Sequence, residues 1–180
     1  ATIRYAFYTS PLGIEPIVEA CPDSYEVSST ELERLSLQKS PNQVWLLCEK
    51  ESWSLPNNND NDLIVALDHL QDPGNLGTII RTADWFGIRN IVCSTDCVEI
   101  WNPKVIQATM GSIFRMNIVE TDLEAYLAKK KSEGKAIYGA LLNGENLFKR
   151  QGKPEGIVVI GSESHGIRPN ILPLITHPIT

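Results

Sequence analysis

The stretch from Leu63 to Gly87 constrains this chain more than any other. It opens on Leu63-Ile64-Val65-Ala66-Leu67, apolar at every position. Such a strand has no face to give to water and is buried on both sides, as in a parallel sheet. Asp72-Pro73-Gly74 follows as turn chemistry, since proline fixes φ and glycine permits positive φ. Asn75 or Thr78 can cap a helix after the turn. Ile79, Ile80, Ala83 and Phe86 give that helix an apolar face, and Gly87 suits its C′ position. The stretch therefore reads as strand, tight turn and helix. It sets Asn75 and Arg81 at the carboxyl edge of a strand, where open α/β sheets bind ligands. Neither GxGxxG nor GxxxxGK[ST] occurs here, which excludes a dinucleotide loop and a P-loop.

The alternation continues along the chain. Further strands are read over 90–93, 113–119, 136–142 and 157–160, and helices over about 76–86, 103–110, 122–132 and 169–175. Strands alternating with helices predict an α/β fold, a parallel sheet with helices on both faces. Ahead of this lies a shorter series. Residues 3–8 read as a strand, 14–20 as a short helix with Pro16 in its first turn, and 25–27 as a brief strand. Ser28-Ser29-Thr30 with Glu31 reads as a capped helix start, and 44–48 as another strand. Between the two series, the polar tract 54–62 reads as a linker. The expected domains are 1–53, a small partial N-terminal α/β unit, and 63–180.

Charge bears on the partner. The 180 residues carry a net charge of −6, but unevenly. Residues 1–100 hold 6 Lys and Arg against 15 Asp and Glu, whereas residues 101–180 hold 10 against 7. The second part can therefore present a basic surface to an anionic partner. No apolar run approaches the roughly 20 residues of a membrane span, and Ala1-Thr2-Ile3-Arg4 carries no signal-peptide pattern. Cys21, Cys48, Cys93 and Cys97 are scattered, with one CxxxC and no second pair. That spacing argues against a zinc site and for reduced thiols, hence a cytoplasmic protein.

Two further stretches carry chemistry. Gly161-Ser162-Glu163-Ser164-His165-Gly166 follows the apolar run 156–160. Its small residues let backbone approach a ligand, and its N–H groups can donate to one. Asn102 to Arg115 reads as a helix ending at Gly111 and then a strand, with Lys104, Gln107 and Arg115 able to face an anion.

Taken together, NxGxxxRTA at 75–83, the segment 103–115 and GxExxG at 161–166 resemble the SpoU/TrmH family of RNA 2′-O-ribose methyltransferases in order and spacing. The segments Arg34-Leu35-Ser36 and Ser40-Pro41-Asn42-Gln43-Val44 are similar to the family's inter-domain region. The resemblance implies a trefoil-knotted α/β domain, a homodimer, S-adenosylmethionine as methyl donor, RNA (ribosomal or transfer) as substrate, and no metal. It makes residues 1–53 part of an RNA-recognition domain whose first helix precedes Ala1. It also places the family's third motif after Thr180. Without that motif, the alternatives are an inactive RNA-binding protein of the same fold or an unrelated anion-binding α/β enzyme.

The resemblance assigns roles by position. Arg81, Asn75 and Glu163 are the catalytic residues, with Glu163 paired to Arg81 as its charge compensation. Arg81, Lys104 and Arg115 face RNA. Gly161, Gly166 and the backbone at Leu141 and Leu142 hold the cofactor. A guanidinium with a pKa above about 12 is a poor base. It serves better as a fork to an RNA phosphate that aligns the ribose hydroxyl.

Overall fold

The computed structural model describes residues 2–38, 40–50, 52–56, 63–149 and 155–180. The chain divides into two compact units, Ala1–Ser52 and Trp53–Thr180.

In the first unit, β1 (Ile3–Tyr8) is the middle strand of three. β2 (Ser24–Glu26) pairs with it in parallel and β3 (Val44–Cys48) antiparallel. The register sets Phe7 between Tyr25 and Trp45, and the three rings meet at centroid distances of 5.5 and 5.8 Å. Such ring pairs add about 0.5–1.5 kcal/mol beyond their buried area. Helix α1 (Glu15–Ala20) carries Pro16 in its first turn. Helix α2 (Ser29–Leu35) begins in the expected capping box: Ser28 Oγ accepts from the Glu31 N–H, and the Glu31 carboxylate accepts from the Ser28 N–H.

The second unit is a wholly parallel six-stranded sheet. Its strands are β4 (Leu63–Leu67), β5 (Asn90–Ser94), β6 (Asn117–Thr121), β7 (Ile137–Glu145), β8 (Gly156–Ile160) and β9 (His177–Ile179), in the order β6-β5-β4-β8-β7-β9. Alternate residues of each strand feed opposite faces. Val65, Leu67, Ile91 and Cys93 join one core with Leu76 and Ile80 of α3 (Pro73–Trp85) and Val105 of α4 (Pro103–Thr109). Ile64, Ala66, Val92, Ile157 and Val159 join another with Leu123, Tyr126 and Leu127 of α5 (Leu123–Ser132). The sheet is therefore covered on both faces, as the unbroken apolar strands require.

Several elements differ from the sequence reading. α3 starts at Pro73, and its cap is Asp72, whose Oδ1 accepts from the Asn75 N–H at 2.8 Å. Proline at the first helical position lacks only an N–H that would be unsatisfied anyway, so the turn is already helix. Residues 113–119 are not one strand. Ser112–Arg115 form a 3₁₀ turn, because Met110 and Gly111 both adopt positive φ and turn the chain before β6. The expected helix over 169–175 is a 3₁₀ turn, Leu172–Leu174, interrupted by Pro173. β9 was not anticipated at all. The unit boundary falls after Ser52. Trp53 stacks on Trp101 at 4.8 Å and the Ser54 carbonyl accepts from Asn117, so both belong to the second unit. Of the expected linker, residues 57–62 lie outside the described residues.

α3 and α4 cross unusually closely at Gly77. A Cβ there would lie 2.5 Å from the Ala108 Cβ and 2.8 Å from the Val105 carbonyl oxygen. Only glycine lets the two helices meet at that distance.

Candidate active site

The carboxyl ends of β4 and β8 are adjacent, and each delivers one of the sequence stretches. β4 leads through Asp72 into α3, which presents Asn75 in its first turn. β8 leads into the loop 161–167. Asn75 Nδ2 donates to Glu163 Oε1 at 2.6 Å across 88 residues of sequence. The loop is a tight reversal: the Ser162 N–H donates to Gly166 O at 3.1 Å and the Gly166 N–H to Ser162 O at 2.8 Å. Gly161 is required there, since a Cβ would lie 2.1 Å from the Gly166 carbonyl carbon.

Arg81 is exposed, and its side chain makes no hydrogen bond or ion pair among the described residues. The expected Arg81–Glu163 pair is not formed; Glu163 takes Asn75 instead. Six positions separate Asn75 from Arg81 on α3, about 240° around the helix and 9 Å along it. They therefore present different faces, and Glu163 reaches only the first. Arg81 is left as a free cation one turn past Gly77.

Lys104 is exposed in the first turn of α4, where Asn102 Oδ1 caps its N–H at 2.9 Å. Arg115 is engaged. Its Nε and NH2 donate to Asp84 Oδ2 at 2.9 and 2.6 Å, and Arg89 NH1 donates to Asp84 Oδ1 at 3.0 Å. The Arg115 guanidinium holds the Asp84 carboxyl below its ordinary range. One half-buried carboxylate thus fixes two arginines on the rim of α3, a role that the sequence reading did not give Asp84.

β7 supplies the remaining candidates. Its pairing with β8 ends at Gly139 opposite Val159. Its pairing with β9 jumps, with Ala140 and Glu145 both opposite Ile179. Residues 141–144 bulge out between those two pairings, so the backbone at Leu141 and Leu142 has no register partner on either neighbour. The Leu142 side chain is 96% exposed. The geometry joins Asn75 to Glu163 and places Gly161 and Gly166 in one turn. Arg81, Lys104 and Arg115 sit on the α3–α4 side.

A second cluster went unnoticed in the sequence. Asp68, at the end of β4, is fully buried and accepts from the Arg168 N–H, Nε and NH2 at 2.8, 2.7 and 2.5 Å. Arg168 NH1 donates to Asp96 Oδ2 at 2.6 Å, and His69 Nδ1 lies 3.0 Å from the same oxygen. Burial pushes the Asp96 carboxyl up, but Ser94, His69 and Arg168 outweigh it and hold the group below its ordinary value. Beside it, the Cys97 thiol is lowered to about 6, chiefly by the hydrogen bond from Cys93, while Cys93 is pushed up. All four cysteines are free. Among the described residues no group of His, Cys, Asp and Glu is placed to hold a metal ion, and no helix is long and apolar enough to cross a membrane.

The chain is similar to known proteins in sequence and in fold. Residues 62–180 match the model of the SpoU rRNA methylase family. The 23S rRNA (guanosine(2553)-2′-O)-methyltransferase of Bacillus subtilis is 29% identical over 144 residues, 79% of this chain and 57% of that protein. An uncharacterized tRNA/rRNA methyltransferase of Synechocystis is 30% identical over 173 residues, 94% of this chain and 63% of that protein. The chain thus spans about 57–63% of the length of these relatives. Among solved structures, a TrmH-family protein from Porphyromonas gingivalis superposes with a TM-score of 0.80 at 31% identity, covering 99% of this chain and 72% of that one. The methyltransferase AviRb from Streptomyces viridochromogenes, solved with AdoMet, shares the fold at a TM-score of 0.82 and 19% identity, covering 99% and 73%.

Proposed function

Because the chain belongs to the SpoU rRNA methylase family, we propose that it acts as an S-adenosylmethionine-dependent RNA 2′-O-ribose methyltransferase on ribosomal or transfer RNA. The observation that carries this reading is the Asn75–Glu163 hydrogen bond at 2.6 Å. It joins the two family motifs at the carboxyl edge of the sheet, on the helix that bears the free Arg81.

The residues fit the cofactor. Gly161 lets the loop fold back on its own backbone, since a Cβ there would lie 2.1 Å from the Gly166 carbonyl carbon, and the outer backbone of that turn is the part left to meet a ligand. The backbone at Leu141 and Leu142, which lies outside the register of both neighbouring strands, is the part of β7 placed to offer N–H and carbonyl groups to a neutral adenine, and Gly166 closes the turn beside Gly161. Bound there, S-adenosylmethionine supplies an electrophilic methyl group on a sulfonium. The chain's own work is to place the ribose. Arg81 has no internal partner to give up, so both arms of its fork are available to a phosphate. A phosphate held there fixes the adjacent ribose, and in-line alignment of the hydroxyl is worth several kcal/mol of barrier, of order 7–11 in the best cases. Asn75 gives its Nδ2 to Glu163 and keeps Oδ1 as an acceptor for the ribose hydroxyl. Glu163 fixes that amide's orientation. Lys104 and the Asp84-braced Arg115 extend the cationic rim along the RNA.

The same reading takes residues 1–53 as part of an RNA-recognition domain and 63–180 as a trefoil-knotted catalytic domain. It describes a cytoplasmic homodimer that needs no metal. The test is Arg81→Ala in the full-length protein, with methyl transfer and cofactor binding measured on one preparation. Transfer is abolished while cofactor affinity stays within about twofold. Arg81→Lys rescues poorly, since a point charge does not replace a planar fork. Wild-type turnover in Arg81→Ala overturns the assignment. Mapping 2′-O-methyl groups in RNA from a strain lacking the protein identifies the nucleotide.

A further inference from the structure

The loop 161–167 is held at three points, and two of them converge on one buried residue, Asp68, through its backbone N–H and its carboxylate. At its approach, the Asp68 N–H donates to Ile160 O at 2.9 Å. At its tip, Asn75 holds Glu163. At its exit, Arg168 gives Asp68 its backbone N–H and two guanidinium nitrogens. Between these points, Ile167 is buried in the core next to the exit and the His165 N–H donates to Ser162 Oγ at 3.2 Å, but the tip itself is only lightly held. Residues 163–166 are exposed, Gly161 and Gly166 contribute no side chain, and the Ser162–Gly166 backbone pair is its main internal tie.

Asp68 and Arg168 do not stand alone. Arg168 NH1 reaches Asp96 Oδ2, whose other oxygen accepts from Ser94 Oγ at 2.5 Å and whose main-chain carbonyl accepts from Gln71 Nε2 at 2.6 Å. The His69 N–H donates to the same Ser94 hydroxyl at 2.9 Å. The network therefore ties together the carboxyl-end segments of three neighbouring strands, β5, β4 and β8. Apolar packing of Ile167 and Ile171 seats the loop's exit on the core but does not set its direction toward the strand ends. A guanidinium fork on a buried carboxylate fixes direction as well as distance.

We propose that Asp68, Arg168 and Asp96 are positioning residues that preorganise the loop 161–167, so that the Gly161 backbone meets the cofactor and Glu163 meets Asn75. They act through the loop and touch no reacting atom. The proposal rests on the functional reading above for the loop's task, but the anchoring itself is measured without it.

The experiment compares Arg168→Lys, Arg168→Ala and Asp96→Ala with wild type in the full-length protein. Asp96→Ala removes the outer carboxylate without stranding Asp68, so it keeps the fold even where Arg168→Ala does not. Hydrogen exchange is read at the Ser162 and Gly166 amides, with Val65 and Ile157 as references, alongside affinity for S-adenosylmethionine and for RNA. In Arg168→Lys and Asp96→Ala, exchange at Ser162 and Gly166 rises at least tenfold while the reference amides stay within about twofold. Cofactor affinity falls by about tenfold and RNA affinity stays within about twofold. Loop amides that exchange as in wild type overturn the proposal, and so does acceleration of all four amides in proportion. If wild type binds no S-adenosylmethionine while the loop amides still respond, the functional reading fails and the anchoring stands.

Discussion

Replacing Gly77 by alanine sets two opposed effects on one atom. Helix propensity favours alanine over glycine in a helix interior by about 0.8–1.0 kcal/mol. Against it stands the added Cβ, 2.5 Å from the Ala108 Cβ and 2.8 Å from the Val105 carbonyl oxygen. Ordinary carbon contacts begin near 3.5 Å, so α3 and α4 must separate by about 1 Å. Neither helix is free to do so. Leu76, Ile80 and Ala83 are packed into the core on one side, and Arg115 is bonded to Asp84 on the other. Overpacking of this kind typically costs about 1–3 kcal/mol. Two contacts this short put the cost in the upper part of that range, about 2–3 kcal/mol, so the clash outweighs the propensity gain and the net loss is about 1–2 kcal/mol. For a protein of this size the melting temperature falls by about 2–8 °C. Thermal unfolding followed by circular dichroism measures it, with Thr78→Ala, the exposed neighbour on the same helix, as the control. The control stays level or gains a few tenths of a kcal/mol. A melting temperature for Gly77→Ala equal to or above wild type refutes the reasoning. It would mean that the helices part without strain and that the glycine is not there for their close approach.

Gly161→Ala keeps the far-ultraviolet spectrum but loses at least tenfold in S-adenosylmethionine affinity by calorimetry, because its Cβ meets backbone at 2.1 Å; unchanged affinity counts against the cofactor assignment. The Cys97 thiol titrates at about 6 in the fold, below its unfolded value of 9.0. Its stabilising contribution is therefore absent below about pH 6 and grows as pH rises toward 9. Iodoacetamide alkylation of Cys97 rises with a midpoint near 6 and shifts upward in Cys93→Ser, whereas a wild-type midpoint above 8 contradicts the assigned hydrogen bonds. The Asp84 carboxyl is lowered by Arg115, so its contribution is present above the unfolded value of about 4 and lost as pH falls through the lower folded value. Asp84→Asn accordingly flattens the acid limb of the stability profile below pH 4, and a limb as steep as wild type shows that the pair contributes nothing.

What the sequence revealed depended on whether a signal was local. β4 and β8 are apolar runs and β5 has an apolar centre at 91–93, and their observed bounds lie within a residue of the expected ones. The same holds for the Ser28 capping box, whose partners are three residues apart. β9 escaped because it has three residues with Pro178 in the middle, a pattern tolerated only at a sheet edge, and its partner β7 lies far back in the chain. The 3₁₀ turn at Ser112 escaped because Met110 adopts positive φ, which no residue-type preference predicts for methionine. At the site, Asn75 and Glu163 were named through the resemblance, and the structure joins them. The partner expected for Glu163 was wrong because charge matching ignores where six residues of helix leave a side chain. Asp68 and Arg168 were invisible, since each reads alone as a surface charge in a turn and 100 residues separate them.

The strand order has a consequence for biosynthesis. β4 pairs on one edge with β5, soon after it in the chain, but on the other with β8, where Leu63 lies opposite Gly156. About 90 residues must be made between the two. At a translation rate of about 5–20 residues per second, that takes about 5–20 s. For that interval the nascent chain carries Leu63–Leu67 with one row of backbone groups unpaired, on a strand apolar at every position. Yield in the cell then turns on what covers that edge at the ribosome exit, and on translation speed through residues 94–156, more than on the stability of the finished sheet.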